Sequence, residues 1–176
     1  MIARKDHAAL YEFYKRYNKR LYGYLWTVLE QDRAWTEDLV QEVFLCVWHA
    51  AGSYRGEASV ATWLFRIAHH LAMNAKRKRR RWLEEQPDEA EDSASYGASL
   101  EEGVIQRLHL LQAIEHLSAK HRAVLDLLFV QGFTVEEAAH ILRVPVGTVK
   151  SRLSYARRSL AALLQDAELR EVIPHE

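Results

Sequence analysis

The side chains best suited to chemistry lie near the C-terminus, in a stretch with the pattern of one long helix. Seven hydrogen-bond donors fall within nine residues there: Lys150, Ser151, Arg152, Ser154, Tyr155, Arg157 and Arg158. At helical spacing, six of them form two adjacent rows with members at positions i, i+4 and i+7, namely Lys150, Ser154 and Arg157, and Ser151, Tyr155 and Arg158. Arg and Lys can contact guanine edges or phosphates, and Ser and Thr can anchor phosphates. The rows favour a nucleic-acid contact, although a solvent-exposed helix face is the alternative.

A second cationic cluster lies in the middle of the chain. Residues 66–81 contain seven Lys or Arg and no acid, and every residue from Lys76 to Arg81 is basic. The cluster follows an amphipathic pattern in which Trp63, Leu64 and Ile67 are expected in the core. Cations are tolerated at a helix C-terminus, and each could also neutralise a phosphate. The run is therefore either a solvated helix end or a second nucleic-acid contact.

The distribution of charge favours a second nucleic-acid contact over a solvated helix end. The formal net charge is zero, but residues 84–102 hold eight acids and no Lys or Arg, whereas residues 138–165 hold five Lys or Arg and no acid. Two basic blocks separated by an acidic block suit a protein that meets a polyanion at two places.

These residues must be positioned by helices, because apolar residues recur at helical spacing and only three prolines and seven glycines interrupt the chain. We expect an all-α fold with helices at about 6–30, 35–51 and 59–81, the second one capped by Thr36. Beyond residue 104, two further helices precede a capping box at Thr134 and Glu137. A break at 143–145 and a long helix at 146–164 complete a helix-turn-helix pattern.

The acidic stretch separates two small domains. We expect a helical domain at 1–81, a flexible acidic linker at 82–103, a four-helix domain with the helix-turn-helix at 104–165, and a tail at 166–176. The linker contains Pro87 and Gly97 among its acidic and serine residues, a composition typical of tethers.

Several classes of protein are not expected. Cys46 is the single cysteine, so no intrachain disulfide can form and the cytoplasm is the expected compartment. No signal peptide or membrane-spanning run is predicted. The nine histidines form no C-x-x-C or H-x-x-x-H pattern, so no metal is expected. Without a Gly-rich phosphate loop or a nucleophile motif, neither an enzyme nor a cofactor is expected.

Three segments together resemble one family. Residues 37–44, followed by Val47 and Trp48, resemble the polymerase-binding helix of bacterial sigma factors. Residues 62–68 resemble the helix that meets the −10 promoter element, and residues 144–153 resemble the helix that reads the −35 element. The order and the short linker resemble the extracytoplasmic-function (ECF) group of the sigma-70 family. The resemblance covers most of the chain.

The resemblance implies partners and residues for them. Core RNA polymerase would be bound through its β′ clamp helices and β flap, and promoter DNA at both elements, under control of an anti-sigma factor. The candidates for core binding are Asp38, Gln41, Glu42, Phe44 and Trp48. Those for the −10 element are Tyr54, Arg55, Arg66, His69, His70, Asn74, Lys76, Arg77 and Arg80. Those for the −35 element are Thr148 and the seven donors already named.

The chain departs from the family pattern at five positions. His69, His70 and Asn74 stand where family members usually carry Arg, Asn and Asp, so the preferred −10 sequence does not follow from the resemblance. Tyr155 replaces a frequent Arg in the −35 helix. Arg143 occupies a turn position usually held by Gly, where a positive φ would cost Arg about 1 kcal/mol.

Two other functions remain open on the residues alone. A stand-alone DNA-binding regulator would explain the C-terminal helix equally well, but not the mixed aromatic and polar face of the second helix. A helical scaffold would need neither basic row. The second helix could also be buried on two sides within a small bundle.

Overall fold

The computed structural model describes residues 2–85 and 110–172, and every regular element in these two stretches is helical. The N-terminal stretch contains a 3₁₀ turn (Ile2–Arg4), helix α1 (His7–Val28), helix α2 (Arg33–Ala50), a second 3₁₀ turn (Ala51–Ser53) and helix α3 (Val60–Glu85). The C-terminal stretch contains helix α4 (110–115), helix α5 (Ala119–Leu125), a π-helical turn (Asp126–Val130), helix α6 (Val135–Leu142) and helix α7 (Val146–Val172).

Aspartates begin the first two helices. The Asp6 carboxylate accepts from the backbone N–H of Ala9 (3.1 Å), and Asp32 accepts from that of Trp35 (3.0 Å). Each satisfies one of the amide groups that a helix N-terminus leaves without an intrahelical partner. The expectation that Thr36 caps α2 is wrong, because Thr36 lies inside the first turn, where its hydroxyl donates to the Asp32 carbonyl oxygen.

The core of the N-terminal domain lies between α1, α2 and α3. The aliphatic face of α2 faces inward, with Val43 and Val47 fully buried. Apolar side chains of α1 and α3 pack against it, namely Leu21, Tyr24, Leu25 and Val28, and Leu64, Phe65 and Ala68. Hydrophobic burial of this face fixes which side of α2 remains outside.

The helix-turn-helix pattern forms as the sequence indicates. The capping box is present, because the Thr134 hydroxyl accepts from the Glu137 amide while the Glu137 carboxylate accepts from the Thr134 amide. Helix α6 ends at Arg143, which has the left-handed conformation (φ 54°) that its position suggested. The chain then turns through Pro145 into α7.

The two helical domains share one continuous core. Helix α6 packs against α3 and α5 packs against α1, and buried residues from both domains join one cluster that includes Phe65 and Phe133. Helix α3 continues to Glu85, and α7 continues into the expected tail. The remainder of the expected linker lies outside the described residues.

The left-handed conformation of Arg143 gives a first test. Replacing Arg143 by Gly removes the Cβ that disfavours the left-handed region, so we expect the free energy of unfolding to rise by about 0.5–1 kcal/mol. Arg143→Ala is the control, since it removes the guanidinium but keeps the Cβ. Urea denaturation of the full chain measures both. Equal effects of the two substitutions would contradict a backbone origin.

Candidate nucleic-acid interfaces and partner surface

Helix α7 carries most of its candidate DNA contacts on the outside. Six of the eight side chains are exposed, namely Lys150, Ser151, Ser154, Tyr155, Arg157 and Arg158. The Tyr155 ring stacks on His121 with ring centroids 4.4 Å apart, and the Arg157 guanidinium lies over Phe129. Buried Val149 and Ala156 anchor the opposite face. The exposed rows therefore form one continuous surface that a groove of DNA can meet.

The two remaining −35 candidates are half-buried. The Thr148 carbonyl oxygen accepts from the Ser151 hydroxyl (3.0 Å). Arg152 points towards α3 and lines a groove of about 1010 Å³ that also contains His69. Thus one −35 candidate, Arg152, and one −10 candidate, His69, each face the other domain.

His69 makes a specific contact inside the N-terminal domain. Its Nδ1 atom lies 2.8 Å from the hydroxyl of Tyr24, which is fully buried. Burial, together with the charges of Arg152, His70 and Arg143, lowers the pKa of His69 to about 4. Burial, and secondarily the charge of Asp126, raises the pKa of Tyr24 well above its usual value. The hydrogen bond therefore joins a protonated tyrosine hydroxyl to a neutral imidazole.

The loop before α3 forms a cavity with that helix and α6. The cavity has a volume of about 670 Å³, and both expected loop residues, Tyr54 and Arg55, line it. The Tyr54 ring lies 5.4 Å from the Trp63 ring, and its hydroxyl donates to the Ala58 carbonyl oxygen (2.6 Å). Arg66 and His70 of α3 line the same cavity. Aromatic faces beside cations suit an unstacked base and its phosphate.

The basic run is divided between two roles. Lys76 pairs with Glu30, and Arg79 pairs with Asp32 (2.9 Å) while lying over the Trp35 ring, so these two cations fasten α3 to the turn between α1 and α2. The remaining members, Arg77, Lys78, Arg80 and Arg81, are exposed. Arg77 donates to Asn74, and Arg80 pairs with Glu84 within the helix. The exposed members are available to phosphates at small cost.

The partner surface expected on α2 is only partly exposed. Asp38, Gln41 and Glu42 are exposed, and Leu45, which was not among the candidates, is 60% exposed beside them. Phe44 differs, because it is 7% exposed and packs against Tyr14 with ring centroids 4.9 Å apart. Phe44 therefore lies beneath the exposed residues of this surface and packs against α1.

Trp48, at the far end of α2, is half-buried under the N-terminal residues. The His7 ring lies 4.7 Å from the Trp48 ring, and the Lys5 ammonium lies 4.9 Å from the Trp48 ring centroid. The same ammonium donates to the Trp48 carbonyl oxygen (2.8 Å). This contact satisfies one of the carbonyl groups that a helix C-terminus leaves open.

Comparison with known proteins decides the family. Models of sigma-70 region 2 and sigma-70 region 4 match residues 13–82 and 107–160. The ECF RNA polymerase sigma factor SigL of Mycobacterium tuberculosis is 32% identical over 92% of this chain and 86% of its own length. SigX of Bacillus subtilis, also an ECF sigma factor, is 31% identical over 89% of this chain and 82% of its own length. The chain belongs to the ECF group of RNA polymerase sigma factors.

A solved relative extends the similarity to the structure. The sigma factor RpoE of Bartonella quintana, in complex with the anti-sigma factor NepR, superimposes with a TM-score of 0.68 and 27% identity, covering 88% of this chain and 97% of that one. The present sigma factor is thus a DNA-binding transcription initiation factor. The matched regions contain α2 and α3 in region 2, and the helix-turn-helix in region 4.

The sigma factor also has functional candidates that sequence reasoning missed. Arg20 donates from Nη2 to the Gln131 carbonyl oxygen (2.7 Å), across the boundary between the domains. Asp126 is 8% exposed and accepts from Thr27 and Gln131. Burial raises the pKa of Asp126. In the sequence, the only signal for these contacts was a polar pattern on an otherwise apolar turn. That pattern does not identify the residues that are contacted.

Two classes of feature are absent from the stretches that the structure describes. No helix there combines the length and apolar character needed to cross a membrane. No three His, Cys, Asp or Glu side chains come together there as a metal-binding group.

The buried His69 predicts a dependence of stability on pH. The folded chain keeps the imidazole neutral down to about pH 4, whereas the unfolded chain takes up a proton below about pH 6.5. The free energy of unfolding therefore falls as the pH drops through this window, by up to about 3 kcal/mol. We expect His69→Gln to reduce this fall. The exposed His49→Gln is the control, and denaturation curves at several pH values measure the difference. A fall in His69→Gln equal to that of the parent would show that other groups cause it.

Proposed function

We propose that this sigma factor carries core RNA polymerase to promoters by using three separate surfaces. Helix α2 docks on the β′ clamp helices, α3 and the loop before it hold the opened −10 strand, and α7 reads the −35 element while its domain meets the β flap. The domain at 1–81 serves the polymerase and the −10 element, and the domain at 104–165 serves the −35 element. The tether between them is the acidic stretch 82–103.

The observation that carries the proposal is the position of the α2 surface. Its exposed Asp38, Gln41 and Leu45 lie on the side of α2 opposite the buried Val43 and Val47. A single exposed leucine does not identify an interface by itself. This face, however, belongs to the helix that the resemblance to sigma factors gives to the polymerase, within the residues 13–82 that match sigma-70 region 2. A stand-alone DNA-binding regulator needs the rows on α7 but has no use for this face, so the polymerase subunit is the better interpretation.

The same geometry supports strand capture by α3. The cavity beside the loop presents the Tyr54 and Trp63 rings with Arg55 and Arg66. Stacking of an unpaired base is worth about 1–3 kcal/mol, and each phosphate contact adds affinity by releasing counterions. Opening then draws on binding energy, without a catalysed reaction of the sigma factor itself. The site of action is the cytoplasm, where the chromosome lies.

Control by an anti-sigma factor is part of the proposal. The solved RpoE relative is similar over both domains, and it is in complex with the anti-sigma factor NepR. A partner of this class would keep the sigma factor from the polymerase until a signal removes it.

Run-off transcription with purified core polymerase tests the polymerase surface. The chain should make core polymerase transcribe from promoter templates, and Gln41→Ala and Leu45→Ala should each weaken core binding about tenfold without loss of helicity. The exposed Gln112→Ala is a control of the same residue type in the other domain. Duplex binding without any transcription would favour the stand-alone regulator instead.

The −35 helix gives a second test, because its first turns and the residues two turns further along should act differently. Lys150 lies in the first half of α7, which enters the groove in helix-turn-helix docking, and Arg158 lies where the helix leaves it. Lys150→Ala should change which −35 sequences are used, with each lost base contact worth about 1–3 kcal/mol. Arg158→Ala should weaken all promoters alike and reduce the salt dependence by about one unit of slope.

Transcription from a panel of single-base −35 variants at two or more salt concentrations distinguishes these outcomes. A uniform loss in Lys150→Ala would exclude direct readout by that side chain. The choice of −35 sequence would then rest on DNA shape or on other residues.

A further inference from the structure

Tyr155, on the exposed −35 face of α7, is held in place by a residue of a different helix. Its side chain is 51% exposed, and its ring stacks on the imidazole of His121, in the first turn of α5. The ring centroids are 4.4 Å apart and the planes lie 26° from parallel. A tyrosine on an exposed helix face can otherwise adopt several rotamers, and a stack of this kind favours one of them. His121 therefore restricts the direction in which Tyr155 leaves the helix.

His121 is itself held by the residue that begins its helix. Ser118 is the N-cap of α5, yet its hydroxyl caps none of the amides of Ala119–Leu125. Its Oγ atom lies 2.9 Å from Nδ1 of His121 instead. The hydroxyl of an N-cap serine usually accepts from a backbone amide two or three residues further on. Here that stabilising cap is replaced by a bond that orients a side chain, a departure from the local rule that is typical of functional positions.

The imidazole of His121 is uncharged at neutral pH. Burial, and secondarily the charges of Lys120 and Arg152, lower the pKa of His121. A neutral ring neutralises no phosphate, so a change at this position should leave the salt dependence of DNA binding as it is. An effect of His121 on DNA binding must therefore come from the position that it gives to Tyr155.

The second row of α7 also contains a side chain that contacts a ring outside the helix, but with different chemistry. The Arg157 guanidinium lies 5.6 Å from the ring centroid of Phe129. A guanidinium in this position keeps its charge and can bind any phosphate. The phenol of Tyr155 carries no charge and offers one hydroxyl and an apolar ring edge, which suit a base edge in the major groove.

We propose that Ser118, His121 and Tyr155 form a specificity unit for the −35 element. Tyr155 contacts one base pair, and His121 and Ser118 are positioning residues that act through it. Both positioning residues lie ahead of the helix-turn-helix, so the motif itself does not reveal them. The role in promoter choice rests on the proposed function, whereas the stacked arrangement can be measured in the free chain.

The first experiment measures the stack in the full chain without polymerase or DNA. The ring protons of His121 lie within the ring current of Tyr155, so their nuclear magnetic resonance signals should shift when Tyr155→Ala removes that ring. The exposed His116, in the same domain, is the control, and its signals should not move. Unchanged His121 signals in Tyr155→Ala would overturn the stack, whatever the chain does in transcription.

The second experiment measures −35 preference by run-off transcription with core polymerase from the panel of single-base variants. Tyr155→Ala should reduce the preference at one base pair by about fivefold or more, the discrimination that one base contact provides. His121→Ala and Ser118→Ala should reduce the preference at that same base pair. His121→Phe keeps a ring that can stack, so it should retain most of the preference. His116→Ala is the control and should leave the preference unchanged at every position.

A double variant tests whether the residues act together. His121→Ala combined with Tyr155→Ala should show the preference of Tyr155→Ala alone, because His121 then has no ring to position. Circular dichroism verifies that every variant keeps its helices. A uniform loss over all promoters in folded His121→Ala, or a salt dependence lowered by about one unit of slope, would overturn the positioning role.

Failure of the proposed function would look different. If the parent chain supported no transcription from any template while the His121 signals still responded to Tyr155→Ala, the stack would stand. The proposed function, and with it the role of this unit in promoter choice, would be refuted.

Discussion

The packing of α3 on two sides is the constraint on which the remaining structure depends. One side of this helix is covered by α1 and α2, through Leu64 and Ala68, and another by α6, through Thr62 and Phe65. A helix buried on two sides must be apolar over most of its circumference, so all of its cations except Arg66 lie in its C-terminal half. The composition of the central segment, apolar first and basic afterwards, follows from this position.

The zero net charge conceals how the protein distributes its cations between folding and binding. Lys76 and Arg79 are paired with acids in the turn between α1 and α2, so they hold α3 against that turn. Arg77 and Lys78, their neighbours, face solvent. Successive residues of a helix point in different directions, so neighbouring cations of this basic run differ in role. Some form ion pairs within the protein, and others are free to bind phosphates. Counting charges along a sequence cannot reveal this division, whereas the direction of each side chain does.

Much of the fold follows from local signals. The capping box at Thr134 depends on residues within one turn and was predicted, and the turn position of Arg143 suggested its left-handed conformation. The error at Thr36 has a local cause as well, since Asp32 offers an equally good capping group one turn earlier. The resemblance to sigma factors supplied the functional assignments that spacing alone left open.

The contacts between the domains could not be predicted from the sequence. Thr62 and Glu137 are 75 residues apart, and Arg20 and Gln131 are 111 apart, so no helical period connects them. The burial of Phe44 depends in the same way on the aromatic side chains of α1. Such pairings depend on how complete helices pack, and many sequences with the same pattern of apolar residues would pack differently.

The cover over Trp48 has a practical consequence for work with the purified protein. Lys5 and His7 hold the first turn of the chain against the end of α2, so a peptide fused ahead of Met1 would emerge beside the surface assigned to the polymerase. An N-terminal affinity tag would compete for that space or pull Lys5 from the Trp48 carbonyl oxygen. Binding constants for this sigma factor are therefore best measured on protein whose tag has been removed or attached at the other end.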